Sequence, residues 1–322
     1  MTVLKLPTRR DLREAASRIA PYAHRTPHMS SRAIDALVGA EIVFKCENLQ
    51  RAGAFKFRGA CNAVLSLDEA SATRGVITHS SGNHAGALAL AAQIRGIEAC
   101  IVMPEDASRV KIAAVRAYGA RIEFCASTQA AREATVARLQ QEHPRTLVHP
   151  YDDPRVIAGQ GTAALELLQE FSDLDILIAP VGGGGLLAGT ALAAGTAPAT
   201  AVYGAEPLAA DDAKRSLAAG HIIAVDRPTT IADGLRTCVG EHNFAIMRQH
   251  VRDILTVSEA AIVAAMRLIW ERMKLVVEPS GAVPLAALLE HGPPPGAKRI
   301  GAILSGGNID LNSLPWSAAD EA

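Results

Sequence analysis

In the stretch ENLQRAGAFKFRGA one lysine, Lys56, stands between two phenylalanines, Phe55 and Phe57. Apolar neighbours strip water from an ammonium and lower its pKa, so that more of it is free amine near neutrality. A free amine attacks aldehydes, and both rings are expected to help enclose Lys56 and keep it neutral. A lysine can also lay its stem along apolar surface and hold its charge in water, so the tripeptide needs partners before it implies chemistry.

The segment DILIAPVGGGGLLAG supplies the first partner: a strand runs into four glycines, Gly182 to Gly185, and a helix follows. Consecutive glycines let backbone N–H groups converge on an anion, and the positive end of the helix points at the same place, which makes a phosphate cup. A lysine that forms imines and a cup for phosphate together suit pyridoxal phosphate. The same residues leave a rival open. Gly183, Gly185 and Ala188 satisfy G-x-G-x-x-A and Glu206 ends the next strand, as a nicotinamide-dependent oxidoreductase would require.

Three further junctions carry polar groups at strand ends. THSSGNHAGALALAA puts Ser80, Ser81, Asn83 and His84 before an alanine-rich helix, where hydroxyls, an amide and free N–H groups suit a carboxylate. GAILSGGNID ends its strand at Ser305; a serine beside a pyridine nitrogen leaves it largely unprotonated, a weaker electron sink that favours prompt loss of a β-substituent. AEPLAADDAK offers Glu206, Asp211 and Asp212, carboxylates whose spacing could meet one hard cation with a carbonyl between them.

These junctions need a scaffold that brings strand ends together. Apolar runs (EIVFKC, GVITHS, EACIVMP, ARIEFC, RTLVHP, DILIAPVGG, AVYGAEP, RDILTV, RIGAILSGG) alternate with segments of helical period such as Ala107 to Tyr118 and Ser258 to Lys274. This predicts an α/β fold with mostly parallel sheets flanked by helices. At 322 residues two lobes are expected: a large one from residues 1–74 and 150–322, and a small, mobile one from residues 75–149. The site belongs in the cleft, at the carboxyl ends of strands. A net charge of -1 without a basic block excludes nucleic acid and anionic membrane as partners. Five scattered cysteines, none in a C-x-x-C pair, fit a reducing compartment; with no secretory h-region and no apolar run of ~18 residues, the expected location is the cytoplasm.

ENLQRAGAFKFRGA, HSSGNHAGA, VIAGQGT, PVGGGGLLAG, AEPLAADD, TIADGLRT, WERMKLVVEPSGAV and LSGGNID follow one another in the order found in fold type II pyridoxal-phosphate enzymes. The chain resembles that tryptophan synthase β-like group from about Arg10 to Leu311, and within it most nearly the serine racemase, threonine (serine) dehydratase and 3-hydroxyaspartate dehydratase family. The resemblance implies a dehydratase, or ammonia-lyase, that eliminates water from a 3-hydroxy L-amino acid to give a 2-oxo acid and ammonia, with racemisation as the alternative main activity. It implies Lys56 as the Schiff-base lysine and Phe55 beside the ring. Asn83 would meet the phenolic oxygen, Gly182 to Gly185 and Leu186 the phosphate, and Glu278 and Ser305 the remainder of the ring. Substrate would rest on Ser80, Asn83 and His84. Arg132, Asp233 and Thr237 would lie at its far end, and Ser81 would be acid or base on the face opposite Lys56. Glu206, the carbonyl of Ala210 and Asp212 resemble a site for Mg²⁺ or Ca²⁺, and a homodimer is implied.

Two positions depart from the animal racemases, Gly86 where glutamine is expected and Tyr151 where asparagine is expected. Both belong to the family's nucleotide-effector site, so activation by ATP is not expected. The chain stops soon after SGGNIDL, which leaves no room for a regulatory C-terminal domain or for isoleucine feedback.

Overall fold

The structure is a computed structural model that describes residues 4–107, 109–225 and 228–316. The outermost residues of the expected large-lobe range, 1–3 and 317–322, lie outside the described residues. Among the described residues, ten strands form two sheets. The larger contains β1 (His28–Met29), β2 (Glu41–Cys46), β7 (Ile176–Pro180), β8 (Ala201–Pro207), β9 (Asp253–Val257) and β10 (Arg299–Leu304), in the order β1-β2-β10-β7-β8-β9. All its pairings are parallel except that of β1 with β2. The smaller contains β3 (Val76–His79), β4 (Ala99–Pro104), β5 (Arg121–Cys125) and β6 (Thr146–Leu147), all parallel, in the order β5-β4-β3-β6.

The continuous apolar runs follow from burial on both faces. On β2, Ile42 and Phe44 pack with the helices Glu259–Met273 and Pro279–His291, whereas Val43 between them packs with Pro154–Glu170 and Gly185–Ala194 on the other face. A strand whose alternate side chains both enter a core shows no polar period, so hydrophobicity alone marks it. The small sheet repeats the arrangement, with Ile101 and Met103 towards one cluster and Cys100 and Val102 towards another. No helix among the described residues is long and apolar enough to cross a membrane.

The parallel strands direct their carboxyl ends at one cleft, and the junctions singled out above sit there. Ser80 follows β3, the glycine run follows β7 and Ser305 follows β10.

Candidate active site

A cavity of about 490 Å³ opens between the two sheets and takes in Lys56, the glycine run, Ser305 and the Ser80–His84 turn. Lys56 begins the Lys56–Leu65 helix. Its ammonium donates to the carbonyl of Pro150 at 2.9 Å and lies 5.1 Å from the centre of the Phe55 ring and 6.0 Å from that of Tyr151. Phe57, by contrast, is buried among Ala60, Val64 and Leu88 and does not line the cavity. The enclosure expected from both phenylalanines therefore comes from Phe55 and Tyr151. Burial pulls the Lys56 ammonium down to about 8, against the opposing pull of Glu278. The helix N-terminus, positive by its dipole, favours the neutral amine too.

Gly184 caps the Gly185–Ala194 helix with φ +90°, a conformation glycine adopts without strain. Protein closes in behind the run: a Cβ on Gly183 would lie 2.3 Å from the Tyr151 ring, and one on Gly184 2.9 Å from Cβ of Asn243. Bare backbone at a helix N-terminus is what a phosphate needs. Ser305 is tied to the lysine segment by its carbonyl, which accepts from Phe55 N–H at 3.0 Å.

The Asn83–Arg95 helix starts without a side-chain cap; Ala85 N–H turns back to Gly82 O at 3.0 Å. Asn83 donates through Nδ2 to Glu278 Oε1 at 2.7 Å and accepts from Asn308 at 3.0 Å. Glu278 Oε2 is buried and meets no hydrogen-bond donor among the described residues, and burial together with the nearby Asp233 carboxylate pushes the acid up to about 7. His84 Nε2 lies 3.3 Å from Val148 O and so carries the proton, and burial holds the ring neutral with its pKa well below the usual value. The remaining nitrogen, Nδ1, is an acceptor, so only the backbone N–H of His84 can serve a carboxylate. His149 is likewise kept neutral, with its pKa depressed to about 4 by burial and by His79.

At the mouth, Arg132 of the Gln129–Glu142 helix lines the cavity together with Ser81, Asp233 and Thr237. Its Nε is buried and no acceptor meets it among the described residues. Asp233 is paired with Lys111 of the Arg109–Ala117 helix. Neither Asp233's pairing nor the place of Tyr151 was legible beforehand. A second cavity of about 760 Å³ shares Gly82, Asn83, Lys111 and Asp233 and includes Gly86, but reaches neither Lys56 nor the glycine run.

Glu206 and Asp212 lie outside both cavities. Glu206 is buried and accepts N–H groups of Ala213 at 3.3 Å and Lys214 at 2.8 Å, and Asp212 accepts from Val239 N–H at 2.9 Å. Burial raises the first acid to about 8 and the second to about 6. Glu206 thus stands outside the cavity that holds the glycine run, where a ribose-binding acid would be needed, and the nicotinamide reading loses its support.

An amine close to neutral, an uncharged serine and a bare helix N-terminus bearing glycines fit an aldehyde-bearing pyridine phosphate. The family model described as "Pyridoxal-phosphate dependent enzyme" matches residues 19–306. The chain is 50% identical over 313 residues to beta-hydroxyaspartate dehydratase of Paracoccus denitrificans, covering 97% of this chain and 99% of that one. Serine racemase from Dictyostelium discoideum superposes with a TM-score of 0.90 at 48% identity, over 95% of this chain and 99% of that one. Maize serine racemase does so with a TM-score of 0.94 at 45% identity, over 98% of each chain. With its cofactor pocket built in this way and nearly all of its length matched, the chain belongs to the pyridoxal-phosphate dependent enzyme family.

Proposed function

We propose that the protein is a dehydratase (ammonia-lyase) that removes water from 3-hydroxy L-amino acids, with L-threo-3-hydroxyaspartate as preferred substrate and L-serine and L-threonine as weaker ones. The observation that carries the choice is Arg132, a guanidinium at the cavity mouth whose buried Nε has no partner among the described residues. Its unmet donor fits a substrate with a second carboxylate, and the relative at 50% identity is a beta-hydroxyaspartate dehydratase. Pyridoxal phosphate, when bound, supplies the electron sink that makes a substrate's Cα proton acidic. Lys56 would carry the cofactor beside Phe55, and its amine would take that proton. Backbone N–H groups of Gly182 to Gly185 and Leu186 would hold phosphate. Ser305 would offer the cofactor's ring no counter-charge, and Asn83 and Glu278 would help hold it. Ser80, Asn83 and the amide of His84 hold the α-carboxylate, while Asp233 and Thr237 flank the far end. A steady-state panel of L-serine, L-threonine and the threo and erythro 3-hydroxyaspartates, read as 2-oxo acid and ammonia, tests the reading; a preference for serine or threonine over hydroxyaspartate overturns it.

Ser81 supports racemisation as a second activity. It lines the cavity from the turn after β3, and Lys56 lines it from the start of its own helix, so two different groups serve one cavity. Ser81→Ala should abolish racemisation while sparing L-elimination to within about threefold, because proton transfer on the L face needs Lys56 alone. Equal loss of both activities in chiral assays rejects this division.

We also propose that Mg²⁺ or Ca²⁺ binds Glu206, the carbonyl of Ala210 and Asp212. The support is two buried carboxylates placed together, since hard cations take oxygen donors and buried acids need a counter-charge. Chelation should lower Tm and activity together and Mg²⁺ should restore both. An unchanged Tm and rate after EDTA rule the cation out. The same reading has the protein acting on free amino acids in the cytoplasm as a homodimer; its free cysteines fit a reducing compartment.

A further inference from the structure

Lys56 and Arg58 share the first turn of one helix, two residues and so roughly 200° apart around its axis. Lys56 enters the cavity; Arg58 is fully buried on the other side. Its guanidinium makes two forks. Nε and Nη2 donate to the two oxygens of Glu47 at 2.7 and 2.8 Å, and Nη1 and Nη2 to those of Glu166 at 2.7 and 2.9 Å. Nη1 also reaches Thr162 Oγ1, and Nη2 the carbonyl of His24, each at 3.2 Å. Lys45 closes the group, donating to Glu166 Oε2 and to Thr26 O at 2.7 Å each. Two cations and two carboxylates thus join the end of β2, the lysine helix and the Pro154–Glu170 helix inside the protein.

Stability does not account for such a cluster, because buried ion pairs roughly break even against apolar side chains of equal volume. The helices it ties together do suggest a purpose. They cross backbone to backbone at glycines: a Cβ on Gly159 would lie 2.6 Å from Gly59 Cα and from Arg58 O, and one on Gly59 2.7 Å from Val156 O. Helices ordinarily set their register by fitting ridges of side chains into grooves, and a glycine crossing has few ridges. The lysine helix also lacks a side-chain N-cap. The Pro154–Glu170 helix, for its part, begins four residues after Pro150, whose carbonyl takes the Lys56 ammonium. Any slip between the two helices therefore moves the amine against its own acceptor.

We infer that Arg58 is a positioning residue for Lys56: its double fork to Glu47 and Glu166 fixes the register of two helices at their glycine crossing and thereby sets where the amine stands. This rests on Lys56 carrying the cofactor and is independent of which hydroxyamino acid is the substrate. A misplacement of about 1 Å at the reacting group costs on the order of 10²-fold in rate.

The test uses Arg58→Lys and Glu166→Gln, each as holoenzyme and as cofactor-free chain. Arg58→Lys keeps a buried cation but cannot make both forks. It should fold, lower kcat about 10²-fold with KM within about threefold, shift the pH midpoint of the cofactor absorbance without substrate, and speed amide exchange in the first turn of the lysine helix of the cofactor-free chain. Glu166→Gln, which keeps the shape and loses a charge, should do the same with a fall of about tenfold. A folded Arg58→Lys with a wild-type kcat, absorbance midpoint and exchange overturns the inference, and so does a lower Tm with these three unchanged. If Arg58→Lys does not fold, Glu166→Gln decides alone by the same readouts. Because absorbance and exchange are read without substrate, a wrong substrate assignment leaves this outcome untouched.

Discussion

Lys56→Ala should lower elimination by at least about 10⁴-fold, since a positioned general base alone contributes 10²–10⁴ and the variant also loses the cofactor's covalent anchor. No neighbour replaces it: His84 and His149 are neutral acceptors with depressed pKa values, and Glu278 is the acid bonded to Asn83. The wild-type band near ~410–420 nm should be absent in the variant. The amine adds a pH test with a definite sign. Its pKa is lowered to about 8, so it is mostly ammonium below pH 8 and mostly free amine above. Cofactor loading of the apo chain should accelerate as pH rises, reach half its maximum near pH 8 and level off beyond. A midpoint near that of an ordinary lysine, or residual turnover well above trace in the variant, contradicts the assignment.

Arg132→Ala should erase the preference for L-threo-3-hydroxyaspartate over L-serine. A guanidinium fork matches a carboxylate with two parallel hydrogen bonds, and losing one such contact of ~2–3 kcal/mol means a roughly 30- to 150-fold fall in kcat/KM. Serine has no second carboxylate, so its kcat/KM should move less than about threefold. A surface arginine paired along its own helix would show no such selectivity, and among the described residues Arg132 has no such pair, whereas Arg138 on the same helix pairs with Glu142. A variant that keeps the wild-type ratio of the two substrates shows that Arg132 does not read them.

Strands read from apolar runs coincide with the observed ones where both faces are buried: EIVFKC and AVYGAEP match β2 and β8 end to end. RTLVHP reduces to the two residues of β6, and β1, equally short, has no pattern to betray it. The glycine run, Ser305 and the Ser80–His84 turn were legible because chemistry at a strand end shows in residues adjacent in sequence. The surroundings of Lys56 were not. Phe57 looked like half of an enclosure, yet the helix turns it into the core, and Tyr151 stands in its place. The Glu166 half of the Arg58 cluster was invisible for the same reason, since its links to Arg58 and Lys45 span 108 and 121 residues and no local spacing announces them.

The place of β10 bears on how the chain acquires its shape during synthesis. This strand lies between β2 and β7, pairing with Glu41–Cys46 on one side and with Ile176–Ile178 on the other. Arg299 and Glu41, which meet across that pairing, are 258 residues apart. At ~5–20 residues per second, β2 leaves the ribosome roughly 13 to 50 s before β10, its parallel neighbour, exists. All four strands of the smaller sheet, by contrast, fall within residues 76–147 and can pair while that interval is still running. The nascent chain thus passes through a period with one sheet formed and the β10-facing edge of Ile42, Val43 and Phe44 still open, the state in which an apolar strand is most exposed to a stray partner or to a chaperone.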